Sequence, residues 1–112
     1  MGESPIMHSS NEENTVKLKT WISFDLGIGG DYDGMYSWLD NHEARECGIN
    51  FAYLQYDFIR EGPEGFEELK EDLKVEVNLT KKDRIYIVVR EQSGQLRARF
   101  LFGKRKRPPW TA

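Results

Sequence analysis

The 112 residues include one cysteine, two histidines, four prolines and no long apolar run. Cys47 alone cannot form an internal disulfide and has no partner for a zinc site. His8 and His42 are unconnected in the chain, and no Ser-His-Asp order supports acyl transfer. No segment approaches the roughly 20 apolar residues that a membrane helix needs, so no membrane partner is expected. The opening MGESPIMHSSNEEN lacks the basic and apolar regions of a signal peptide. Gly2 is not a myristoylation signal, because Ile6 stands where Ser or Thr is required. A soluble, cytoplasmic protein is the resulting expectation.

What is present is enough for one domain. An apolar share of 38% with 12% aromatics supports a modest core at this length. Charge is unevenly spread along the chain. Residues 1–80 hold 17 acidic and 6 basic side chains, whereas residues 81–112 hold 2 acidic and 10 basic, leaving a net −3. Such a split points to an interaction surface, or to two halves that neutralise each other on folding.

Residues 1–15 are polar and are expected to form a dispensable, disordered arm. From Val16, apolar residues recur at period two through Ile22, Phe24 and Leu26, which reads as a first strand broken only by Thr20. Gly27, Gly29 and Gly30 end it, Asp31 or Asp33 caps a helix, and Tyr32, Met35, Tyr36 and Leu39 form its apolar stripe. Gly48 is the expected helix stop, with Cys47 packing at the helix end. NFAYLQYDFI (50–59) is a second strand, apolar on both faces. Pro63 opens a second helix with Phe66, Leu69 and Leu73 inward and an acidic outer face. RIYIVVR (84–90) and LRARFLF (96–102) form a hairpin around Gln92-Ser93-Gly94-Gln95. The order β-α-β-α-β-β predicts an α+β, ferredoxin-like domain over 16–103: an antiparallel sheet with two helices on one face, followed by a basic tail at 104–112.

The strand end Phe24-Asp25-Leu26, the turn Gly30-Asp31-Tyr32 and the helix start Met35-Tyr36-Ser37-Trp38-Leu39 resemble the SinR-like relatives of the CRISPR-associated Cas2 proteins. Lys82-Asp83-Arg84-Ile85-Tyr86-Ile87 is similar to the way their third strand begins. The resemblance spans roughly residues 20–102 and implies a small ferredoxin-like homodimer. In Cas2 proteins two copies of the strand-1 aspartate face each other and carry a metal-dependent nuclease role, which the resemblance places on Asp25. Leu26 follows the SinR-like variant, for which no established activity is implied.

Asp25 is thus the candidate catalytic residue and the candidate ligand for Mg²⁺, an ion that prefers carboxylates and water. The alternative is that Asp25 receives backbone N–H bonds in the Gly27–Gly30 turn and only shapes it. That turn is not a phosphate cradle, since no Walker lysine follows and Asp31 and Asp33 repel anions. Arg90, Arg97 and Arg99, continued by Lys104, Arg105, Lys106 and Arg107, form a candidate DNA- or RNA-binding strip with Tyr53, Tyr56 and Trp110 as stacking aromatics. The alternative is a basic sheet edge neutralised by Glu67, Glu68, Glu71 and Asp72. Three functions stay open: a nucleic-acid-associated homodimer, catalytic or not; a module that docks a protein partner; and a toxin-type ribonuclease on the same core.

Overall fold

In the computed structural model, which describes residues 14–111, the first strand β1 (Val16–Asp25) keeps strict alternation. Leu18, Thr20, Ile22 and Phe24 are buried, while Lys17, Lys19, Ser23 and Asp25 face solvent. Thr20 sits in the apolar row without penalty because its hydroxyl donates to the Leu18 carbonyl at 3.1 Å. Residues 1–13, which hold nearly all of the expected arm, lie outside the described part.

The molecule is α+β, with α1 (Tyr32–Asn41), β2 (Arg45–Gly48), β3 (Phe51–Phe58), α2 (Pro63–Glu76), β4 (Arg84–Arg90) and β5 (Leu96–Phe102) following β1. The strands form one sheet of order β2-β3-β1-β4-β5, and every neighbouring pair is antiparallel. Strands β1 and β2 therefore run parallel with β3 between them, and β3 and β4 run parallel with β1 between them. Both helices pack on the even-numbered face of β1. From α1, the rings of Tyr32 and Tyr36 meet Phe24, and from α2, Asp72 meets Tyr56. Between them lies the core of Ile22, Met35, Trp38, Leu54, Leu69, Leu73, Ile85 and Ile87, each at most 2% exposed. Gly65 lets α2 approach β3, since a Cβ there would stand 2.5 Å from the Arg60 carbonyl oxygen. No helix among the described residues is long and apolar enough to cross a membrane.

Two expectations are corrected. The sheet has five strands rather than four, because α1 stops at Asn41 and residues 45–48 pair with β3. The stop is a Schellman motif: Ala44 N–H bonds to Leu39 O at 2.9 Å and Glu43 N–H to Asp40 O at 3.0 Å. Glu43 takes the left-handed conformation (φ 55°) that glycine usually supplies, so the chain turns five residues before Gly48. Gly48 and the exposed Cys47 consequently belong to β2, not to a helix end. The apolar stripe of α1 also includes Trp38, 1% exposed, whereas Tyr36 is 52% exposed.

The second correction concerns β5, whose Arg97 and Arg99 the expected basic strip sets on one face with Arg90. Its cross-strand partners place Leu96, Ala98 and Phe100 opposite Arg90, Val88 and Tyr86, on the face away from the helices. Arg97 and Arg99 lie opposite Val89 and Ile87 on the helix face. A register shift beyond Tyr86 then turns both Leu101 and Phe102 toward the core.

Candidate functional site

The helix-free face of the sheet is built from the odd-numbered positions of β1 and β3. Cross-strand pairing sets two rows on it: Phe51, Ser23, Tyr86 and Phe100; then Tyr53, Trp21, Val88 and Ala98. Trp21 and Tyr53 pack with ring centroids 5.3 Å apart, and Tyr86 and Phe100 meet edge to face at 4.8 Å. Beyond the second row come Gln55, Lys19, Arg90 and Leu96, then the Lys17–Asp57 ion pair at 3.1 Å. Beyond the first row lies Asp25 opposite Arg84. The face thus has an apolar, aromatic centre between two charged margins.

Asp25 does not shape the glycine turn. Its Oδ2 accepts from the Arg84 guanidinium at 2.9 Å, and its side chain is 60% exposed. The turn is held instead by Asp83, 1% exposed, whose Oδ1 accepts the Gly27 amide at 2.7 Å and whose Oδ2 accepts the Thr80 amide at 2.8 Å. Gly30 closes onto the Gly27 carbonyl at 2.7 Å, and a Cβ on Gly30 would stand 2.6 Å from that of Leu26. Asp31 caps α1, accepting from Gly34 and Asn78 amides at 2.9 Å each; these bonds, Asn78 first, hold its carboxyl below the usual range. The Gly27, Gly34 and Asn78 amides are already taken by carboxylates and are closed to an anion.

Asp25, Arg84 and Arg105 line a cavity of about 300 Å³ with Ser23, Tyr86 and Phe100. The Arg84 Nε is buried there without a partner. Among the described residues no three His, Cys, Asp or Glu side chains cluster as metal ligands. One chain offers Mg²⁺ a single carboxylate, already neutralised by an arginine, so this donor set does not fit the ion without a second copy.

The expected basic strip is divided among three places. Arg90 stands at the margin of the bare face. Arg97 pairs with Glu91. Arg99 lies over the Phe66 ring at 4.7 Å, donates to Pro63 O at 3.1 Å and approaches Glu67 at 3.9 Å, so α2 neutralises it. Lys104, Arg105, Lys106 and Arg107 are exposed in the tail, as is Trp110. Of the proposed stacking tyrosines, only Tyr53 is on the bare face. Tyr56 is 8% exposed on the helix face, because three positions along a strand reverse the side.

Sequence reading missed a polar cluster beneath α1 and α2. One oxygen of Asp72 accepts from Tyr56 Oη at 2.8 Å and Trp38 Nε1 at 3.2 Å, and lies 3.4 Å from His42 Nε2. His42 Nδ1 is 2.8 Å from the Trp38 carbonyl oxygen, and its ring lies tilted against Trp38 with centroids 4.1 Å apart. Burial first, then the Asp72 hydrogen bond, pushes the Tyr56 phenol well above its ordinary range. The Trp38–His42 spacing of four was the only local signal. Asp72 comes from another helix, which spacing cannot reveal.

The chain matches no protein-family model, no curated protein and no solved structure.

Proposed function

We propose that this chain acts as a homodimer that binds nucleic acid without cutting it, a ferredoxin-like protein of the SinR-related kind its motifs resemble. The split β-α-β connections, with β5 added at one edge, support the ferredoxin-like part of this reading. One observation carries the dimer: the helices cover one sheet face, while the other has an apolar centre with charged margins. That anatomy is typical of a protein–protein interface, and a second copy of the same face covers it with closed symmetry. The charge balance carries the nucleic-acid part. Lys104, Arg105 and Lys106 extend past the sheet as exposed cations, whereas Arg97 and Arg99 are engaged on the helix face. Asp25 is assigned to the margin of the interface, with Arg84 as its counter-ion, and not to hydrolysis.

Sedimentation equilibrium at tens of micromolar tests the dimer, using Ala98→Glu to put a charge in the apolar second row of the bare face, at its β5 end. The expected result is a dimeric wild type and a monomeric variant. Replacing the four tail cations by glutamine is expected to weaken binding to single-stranded RNA and to flatten its salt dependence. A monomeric wild type, or one that binds neither RNA nor DNA, refutes the reading. Mg²⁺-dependent cleavage that disappears in Asp25→Asn would replace it with a catalytic one.

A further inference from the structure

A second cavity, about 350 Å³, opens between the end of α1 and the β2–β3 hairpin. Its walls are Phe24, Tyr36, Leu39, Ala44, Ile49 and Phe51, an apolar lining with room for a large side chain. Ile49 is 95% exposed and Tyr36 is 52% exposed, so the outer part of this lining is left in water by its own chain, above the buried Phe24. Asp40 and Glu46 stand at its margin as exposed carboxylates, with Arg45 the one cation among them.

The tail has the complementary composition. Trp110 is 85% exposed, and four cations precede it at 104–107. Pro108 and Pro109 stiffen the approach and lower the entropy lost when the indole is captured. Arg105 lies beside Asp25 at the end of β1, and Trp110 is five residues farther on, a reach of about 15 Å at ~3.1 Å per residue. The chain does not turn back into its own cavity, since the Thr111 amide closes a local turn on the Pro108 carbonyl at 3.1 Å and leaves the indole outside.

We infer that the two tails are exchanged in the dimer, each placing Trp110 in the apolar cavity of the other copy, while Lys104, Arg105 and Lys106 on the approach stay open to a phosphate backbone. This rests on the homodimer proposed above and adds to it the segment that locks the two copies. Burying an indole in a fitted apolar cavity makes it an anchor of the kind that dominates interface energies.

The test mixes two full-length variants in a Cys47→Ser background, one carrying Trp110→Cys and the other Ile49→Cys, with different tags. Both substituted positions are exposed in the single chain, so folding is preserved. A disulfide-linked heterodimer of the two tags is expected under mild oxidation. Trp110→Ala alone is expected to raise the dimer dissociation constant roughly tenfold or more, by sedimentation. A chain carrying both cysteines that closes on itself as a monomer overturns the exchange. Absence of the cross-link in a protein that still sediments as a dimer also overturns it, and leaves the sheet-face dimer standing. A monomeric wild type refutes both readings.

Discussion

Asp83 accepts the Gly27 amide from fifty-six positions away, at 2.7 Å, and so ties the start of β4 to the turn after β1. The carboxylate that organises this turn is buried and distant in sequence, while the nearby Asp25 faces solvent with Arg84. The two aspartates therefore have unequal energetic weights.

Asp83→Ala is expected to destabilise the fold by about 2–3 kcal/mol, because two backbone amides lose a buried acceptor. Asp25→Asn is expected to cost less than about 1 kcal/mol, the range of an exposed ion pair. Urea denaturation of both variants measures the contrast, and equal losses would contradict it.

Tyr56 is expected to contribute to the pH dependence of stability in the alkaline range. Its folded phenol binds the proton more tightly than the unfolded one, so its contribution is fully present below about pH 10 and is lost as pH rises beyond that. Tyr56→Phe is expected to cost about 1 kcal/mol at neutral pH, through the lost bond to Asp72, and to reduce the fall in stability between pH 9 and pH 11. Urea midpoints at the two pH values check the slope.

Glu43→Gly is expected to raise stability by about 0.5–1 kcal/mol. The Schellman position at φ 55° strains a side chain with a Cβ, and relief of that strain outweighs the greater freedom of glycine in the unfolded chain. A lower melting temperature would mean that the Glu43 side chain makes a stabilising contact.

Gly65→Ala is expected to cost about 1–3 kcal/mol, since the added methyl meets the Arg60 carbonyl and the Phe58 ring where α2 crosses β3. Thermal melts compare it with Gly29→Ala, where a Cβ finds open space and only the positive φ opposes it.

Much of the architecture was legible because its signals are local. Alternation in β1, Pro63 at the first turn of α2 and the Gly94 hairpin each act within a few residues. Where local signals competed, sequence reading failed: Gly48 looked like the helix stop, but the Schellman bonds form around Glu43 and release residues 45–48 to pair with β3. The candidate site was less legible. Asp25 stands at the strand end where the local pattern puts it, but its counter-ion Arg84 comes from a strand that only folding sets beside it.

By itself, then, the sequence determined the periodicity of each element, the acidic and basic halves and the surplus of apolar residues for one covered face. Tertiary structure decided which carboxylate serves the turn, that Arg97 and Arg99 sit with the helices while Arg90 does not, and that Asp72 gathers Tyr56, Trp38 and His42. The reason is physical: period and propensity act along the chain, whereas register, strand order and helix crossing choose the partners of each charged group.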